Sequence, residues 1–199
     1  TENGLLHGLK YSEEVLDASD NVQTKTEYKW TLNDLNTGAV VLNPDCGGEL
    51  YPRLKSEKTT VFGTNQENTL TSLKHYEYTT YGNISQYVNK YRHNDSVTAI
   101  MTYEPDRSRN ILGKMTGMIV RDKNEMTVRK IMRIYNDYGD IVQIGNYLTE
   151  NSDVTTTYQY DIFGNLAGVT YPSNHENQAT SYIYAYDEET NTYLSSITD

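Results

Sequence analysis

Hydrophobic and polar positions alternate with a period of two along most of this chain. Tyr76/Tyr78, Tyr158/Tyr160 and Tyr182/Tyr184/Tyr186 each set their rings on one face of an extended segment, because neighbouring side chains of a strand point to opposite sides. Met132 and Ile134 fall on the face opposite Arg133 and Tyr135. Thr155 to Tyr160 combines the alternation with β-branched and aromatic residues, the types that fit a pleated, half-buried surface. Lys25 to Leu32 alternates in the same way, and Ala39 to Leu42 and Thr59 to Phe62 read as further strand segments. No stretch keeps a 3.6-residue period long enough for a helix of ordinary length. The predicted class is all-β.

The punctuation between these segments predicts hairpins. After Tyr160, Asp161-Ile-Phe-Gly164 fits a type I turn, with Asp where its side chain can bond the turn backbone and Gly where a positive φ is tolerated. A type I turn followed by a left-handed Gly is a common hairpin connection, so Leu166 to Tyr171 becomes the return strand, ended by Pro172-Ser-Asn174. The same logic sets turns at Thr79 to Gly82 and Asn136 to Gly139 and predicts positive φ at Gly82, Gly139 and Gly164. Earlier in the chain Asn36-Thr-Gly38 supplies a turn, and Asn43 to Gly48 and Gly63 to Asn68 read as loops. Val15 to Val22, with Asp17, Asp20 and Asn21, reads as a unit that lacks the Tyr and the Gly.

These hairpins repeat. Tyr78, Tyr103, Tyr135, Tyr160 and Tyr186 each stand before a turn, at intervals of 25, 32, 25 and 26 residues. A period in the twenties marks units that must stack on their neighbours to cover an apolar face. Stacked in register, the five tyrosines are expected to form a ladder across neighbouring strands, with Tyr78, Tyr135 and Tyr160 mostly buried on one side of a sheet and cross-strand aromatic contacts of roughly 0.2–1 kcal/mol each.

Tyr160-Asp161-x-x-Gly164-Asn165-Leu166, followed by Tyr182-x-Tyr184-x-Tyr186-Asp187, resembles the YD repeat of RHS-repeat proteins. That family includes bacterial polymorphic toxins, shell-forming subunits of insecticidal toxin complexes, wall-associated proteins and animal teneurins. The resemblance extends over roughly residues 72–199, with Thr79 and Asn136 in place of Asp and with no Gly on schedule after Tyr103-Glu-Pro-Asp106. It divides the chain into an irregular β-rich segment with degenerate repeats, residues 1–70, and a YD-repeat hairpin array, residues 71–199. It implies stacked antiparallel β-hairpins in a twisted, curved sheet, an arc of a YD-repeat β-shell. The implied function is structural: a wall segment of a large secreted or cell-surface protein that encloses or presents a toxin or effector domain, without enzymatic activity. The expected partners are the rest of the parent polypeptide, glycans or a cell-surface receptor, and other copies through open sheet edges. The family's core beyond the repeats, with its aspartate-driven self-cleavage, has no counterpart signature in this chain. An adhesin that stacks sugars on exposed tyrosines is the alternative. The orientation of the rings separates the two, since a packed ladder serves a scaffold and a row of exposed rings serves a ligand.

Composition supports a folded β-protein. The hydrophobic fraction is 36%, yet 19 residues are Tyr against 2 Phe and 1 Trp, and disordered chains are poor in aromatics. Tyrosine suits a sheet with a wet face because it joins a large apolar ring to a hydroxyl. The net charge of −10 argues against a nucleic-acid partner. The one basic cluster, Arg121, Lys123, Arg129, Lys130 and Arg133, is interrupted by Asp122 and Glu125. No run approaches the ~18 apolar residues of a membrane span, so insertion by this segment is not expected. The chain opens on Thr1 rather than Met, consistent with removal of a leader or other domains.

Candidate chemistry is sparse. Cys46 is the single cysteine, so no internal disulfide can form and it reads as a loop thiol. His7, His75, His93 and His175 have no metal-ligand spacing, and Asp17-Ala-Ser-Asp20-Asn21 lacks the Gly and terminal Glu of an EF-hand loop and reads as a turn. Carboxylate pairs such as Glu13/Glu14 and Glu188/Glu189 arise readily in a chain with 27 acids. Neither a Walker loop, a dinucleotide fingerprint, a nucleophile elbow nor a zincin motif occurs, and no cofactor or metal is expected. Asn83-Ile-Ser85 and Asn94-Asp-Ser96 are glycosylation sequons.

Overall fold

The computed structural model describes residues 6, 8–42, 48–63, 69–91, 95–149, 152–174 and 178–199. Cys46, His7, His93, His175, Asn94 and most of the two expected loops, residues 43–47 and 64–68, lie outside the described residues.

The alternating segments form strands, in chain order β1 (Ser12–Leu16), β2 (Val22–Asp34), β3 (Leu50–Val61), β4 (Leu70–Tyr78), β5 (Ile84–Lys90), β6 (Ser96–Tyr103), β7 (Met115–Arg121), β8 (Thr127–Tyr135), β9 (Ile141–Thr149), β10 (Ser152–Tyr160), β11 (Leu166–Thr170), β12 (Ser181–Tyr186) and β13 (Leu194–Thr198). Their hydrogen-bonded order is the chain order, and the pairing is antiparallel throughout the registers observed, as a run of hairpins requires. The all-β, stacked-hairpin class expected from the sequence is the observed one. Ala39 to Leu42 is an exception: it forms no strand, and only Val40 bridges to Asn33. On its other edge from β1, β2 pairs instead with β3, which begins at Leu50 and runs in register from Thr24↔Val61 to Asp34↔Leu50.

Contacts divide the chain into two units, residues 1–101 with 119–128 and residues 102–118 with 129–199. In the first, the buried side chains are Leu32, Asn33, Arg53, Ser56 and Asn89. In the second they are Ile131 and Val169. No described side chain is fully enclosed. In β12 the tyrosines 182, 184 and 186 are half-buried while Ser181, Ile183 and Ala185 are exposed. The tyrosine face is therefore the better covered one, through neighbours in the same sheet. Two aromatic pairs illustrate it: Tyr76 opposite Tyr87, ring centroids 5.5 Å apart, and Tyr171 edge-on to Tyr182 at 6.1 Å.

Turn geometry recurs where the glycines do not. Gly82, Gly139 and Gly164 have φ of +88°, +96° and +86°. Asp20 and Glu125 adopt +62° and +63° in turns with the same bonds, Asp17 N–H to Asn21 O at 2.9 Å and Asp122 N–H to Met126 O at 3.0 Å. A left-handed conformation disfavours a β-carbon by about 1 kcal/mol. Asp20→Gly should therefore raise stability by about 0.5 kcal/mol, read as a higher urea midpoint at unchanged m value. A drop in the midpoint would mean that Asp20 contributes something beyond backbone geometry.

Candidate functional site

The recurring element is a capped turn joined to a tyrosine that reaches back to the preceding hairpin. In the Asp161 unit the Gly164 amide donates to Asp161 O (3.1 Å), and the Asp161 amide donates to Asn165 O (2.9 Å). The Asp161 carboxylate accepts from the Phe163 and Asn165 amides at 2.9 and 2.8 Å. Asn136 does the same with its side-chain oxygen for Tyr138 and Asp140, both at 2.9 Å, and Thr79 offers a hydroxyl to the Asn83 amide at 3.2 Å. The strand register shifts by one residue just before Tyr78, Tyr135, Tyr160 and Tyr186. That is the bulge a left-handed turn residue introduces, and it re-aims the tyrosine.

Each of these four tyrosines donates its hydroxyl to a backbone carbonyl on the neighbouring strand of the previous hairpin. Tyr78 bonds Leu54 O at 2.8 Å, Tyr135 bonds Met115 O at 2.9 Å, Tyr160 bonds Ile141 O at 2.9 Å and Tyr186 bonds Leu166 O at 3.1 Å. The rings are half-buried, less covered than the expected ladder. Burial raises the Tyr78 and Tyr160 hydroxyl pKa; nearby Arg53 opposes this at Tyr78, and the Asp140 carboxylate adds to it at Tyr160. Both remain donors at neutral pH.

At Tyr78, Tyr135 and Tyr160 the residue just before the acceptor carbonyl sits beside the tyrosine. Arg53 precedes Leu54; its guanidinium lies 4.5 Å from the Tyr51 ring centroid and 5.0 Å from that of Tyr78. It donates to Thr79 O (2.9 Å) and Thr80 O (3.4 Å), so it clasps the next turn, and it is only 6% exposed. Its Nε and the Tyr51 hydroxyl are buried without a hydrogen-bond partner. Lys114 precedes Met115, with its ammonium 5.6 Å from the Tyr135 centroid. In the third unit the position is Asp140, and in the fourth Asn165, whose amide donates to Asn191 O at 2.8 Å in the following turn.

Between the Asn136 and Asp161 turns lies a groove of about 870 Å³ walled by Tyr138, Asp140, Tyr158, Tyr160, Asp161 and Phe163. None of its lining residues is basic.

Of the ten residues singled out by sequence, Tyr78, Tyr135, Tyr160 and Tyr186 end β4, β8, β10 and β12, and Gly82, Gly139, Gly164 and Asp161 form the turns after the first three. Tyr103 ends β6, half-buried, its hydroxyl pKa raised by burial against the pull of Arg133, before the longer connection from Glu104 to Lys114. Asp187 caps an extended turn, accepting from the Thr190 and Tyr193 amides at 2.7 Å, with Asn191 at φ +54°. Sequence reasoning missed Arg53, Lys114 and the Asp122 turn. Asp122-Lys-Asn124 carries the Asp/Asn signal of a turn, but no signal marks Arg53 as buried.

Turn caps make the fold acid-sensitive. The Asp17, Asp34 and Asp187 pKa values are lowered chiefly by backbone amides, of Asn21, Thr37 and Thr190 respectively, and that of Asp106 chiefly by the Ser108 hydroxyl. At Asp161 partial desolvation raises the pKa, and the combined bonds from Asn165, Phe163 and Gly164 outweigh it. A depressed folded-state pKa contributes stability that is present above the unfolded value near 4 and lost as pH falls through the folded one. Thermal midpoints should be flat from about pH 7 to 5 and fall below about pH 4. Asp161→Asn, which copies Asn136, should make that fall shallower. An unchanged acid slope in the variant would show that its carboxylate does not contribute.

Residues 135–176 match the family model described as RHS Repeat. No curated protein matches the chain. Among solved structures it is similar to a chain of the Photorhabdus luminescens Tc holotoxin pore, in a TccC3 variant, at 14% identity and TM-score 0.37 over 92% of this chain and 11% of that one. The crystal structure of TcdB2-TccC3-Cdc42 gives the same identity, coverage and score, 14%, 92% and 11%, and 0.37. A porin-like protein from Bacteroides uniformis is similar at 9% identity and TM-score 0.43, over 92% of this chain and 80% of that one. The chain spans 11% of the length of the first two.

Proposed function

We propose that this chain, which carries an RHS repeat at residues 135–176, is a structural wall segment of a larger secreted or cell-surface RHS/YD-repeat polypeptide that encloses or presents another domain. The observation that carries the reading is the recurrence of one mechanical joint, a tyrosine hydroxyl bonded to a backbone carbonyl of the preceding hairpin, at Tyr78, Tyr135, Tyr160 and Tyr186. Groups engaged in this way serve hairpin-to-hairpin cohesion and are withdrawn from sugar recognition, which favours a wall over an adhesin. Within this reading the array proper starts near residue 71, and residues 1–70 form degenerate repeats at its border. Sequestration is the mechanism: strand-to-strand pairing makes a barrier whose backbone polar groups are satisfied within it.

Electron cryo-microscopy of the full parent polypeptide tests the proposal. β1 and β13 should each pair with a further strand of the same polypeptide, and the sheet should border a space holding another domain. Solvent-exposed edges at both strands in the full-length protein, with nothing enclosed, would overturn it.

A further inference from the structure

Across the repeats, one structural position changes the sign of its charge. The residue before the carbonyl that accepts the tyrosine hydroxyl is Arg53 beside Tyr78 and Lys114 beside Tyr135, each placing a cation over the ring. Beside Tyr160 the same position holds Asp140, one carboxylate oxygen of which accepts from Asn136 Nδ2 at 3.0 Å. An aromatic face attracts a cation through its quadrupole, and a carboxylate alongside adds Coulomb attraction. Where the chain supplies its own cation, the position is filled. Where it supplies Asp140, the 870 Å³ groove opens, walled by Tyr138, Tyr158, Tyr160 and Phe163 and bearing Asp140 and Asp161 with no basic residue.

We propose that this groove is a docking site for an arginine or lysine side chain presented by a partner polypeptide, whose cationic head lies over the Tyr160 ring beside Asp140, as Arg53 lies over Tyr78 and Lys114 over Tyr135. Charge complementarity selects the occupant: the site is aromatic and acidic, and the whole chain carries −10. Tyr138 and Phe163, at corresponding places in successive turns and 85% and 61% exposed, flank the entrance and can cover the aliphatic stem of the incoming side chain. The inference does not depend on the wall reading, since it concerns a surface at the turn ends of two neighbouring hairpins.

The test is a titration of the whole 199-residue chain, isotopically labelled, with acetyl-Gly-Arg-Gly-amide and with acetyl-Gly-Gln-Gly-amide, which is uncharged. The arginine peptide should give saturable amide shifts confined to residues 136–142 and 158–164, and the glutamine peptide should bind at least about tenfold more weakly. Asp140→Asn, which copies Asn165, and Asp140→Lys, which copies Lys114, should both fold, and the lysine variant should lose arginine binding by a similar factor because its own ammonium occupies the ring. Equal shifts from the two peptides, no saturation, or undiminished arginine binding in Asp140→Lys would each overturn the proposal. The comparison of the two peptides on the unaltered chain decides the matter even where a variant does not fold.

Discussion

Alanine at Gly38 should destabilise the first unit by about 3 kcal/mol, because two penalties act at once. Gly38 has φ +71°, a conformation in which a β-carbon costs about 1–2 kcal/mol. A β-carbon there would also lie 2.8 Å from the Cα of Thr80, a backbone atom that cannot swing aside. Overpacking of that kind adds roughly 1–3 kcal/mol. Both turns are themselves fixed: Arg53 donates to the Thr79 and Thr80 carbonyls, and Asn33 Nδ2 donates to Gly38 O at 3.0 Å. Relief by turn movement would therefore break the Arg53 contacts and leave a buried cation without acceptors. Gly164 is the control. Its φ is +86°, but nothing stands within 4 Å of the site of a β-carbon, so Gly164→Ala should lose only about 1 kcal/mol. Urea unfolding followed by Trp30 fluorescence, with circular dichroism for the second unit, measures both. A Gly38 variant within 0.5 kcal/mol of the parent would mean that the two turns are not in contact.

The parts of this fold that were legible in the sequence are those set by local chemistry. Asp161, Asn136 and the glycines at 82, 139 and 164 form hairpin turns because a side-chain acceptor at the first position and a left-handed fourth residue fix the turn within five residues. Period-two tyrosines fixed the faces of β10 and β12 for the same reason. Two kinds of feature were not legible. Ala39 to Leu42 looks like a strand but lies inside a connection where β3 takes its place beside β2, since pairing is decided by what lies opposite and not by propensity. The tyrosine rings are half-buried rather than mostly buried, because ring burial depends on what packs across the face, which alternation along one strand cannot report. The joint itself was hidden as well. A hydroxyl 19 to 24 residues from its acceptor binds a backbone carbonyl, and every residue has one of those. Arg53, inside Tyr51-Pro-Arg53, reads as a surface cation until the Thr79 turn closes over it. The groove beside Asp140 emerges only when the units are compared position by position in three dimensions.

Removing the four bonded hydroxyls together, as Tyr78→Phe, Tyr135→Phe, Tyr160→Phe and Tyr186→Phe, should lose about 4 kcal/mol while leaving every ring in place. A hydrogen bond of this type contributes about 1 kcal/mol net, and the four acceptors lie on different hairpins, so the losses should add to within a few tenths of a kcal/mol each. About 1 kcal/mol of this falls in the first unit and about 3 in the second, against the roughly 5–15 kcal/mol that holds a typical domain. Tyr160→Ala separates the ring from the hydroxyl. A fully buried aromatic truncation loses about 3–5 kcal/mol, and a half-buried ring should lose about 2–3, of which Tyr160→Phe accounts for about 1. Tyr193 is 71% exposed, and Tyr193→Phe should change nothing measurable. Repeat arrays transmit stability between neighbours, so the single variants should also differ in where they act. Hydrogen exchange in Tyr160→Phe should speed up first in β9 and β10, the strands that its bond joins, and leave β2 and β3 at their original rates. A fourfold variant that unfolds within about 1 kcal/mol of the parent would show that solvent satisfies these carbonyls as well as the tyrosines do. The recurrence of the bond would then follow from the turn geometry alone, and cohesion between hairpins would have to come from the strand ladders.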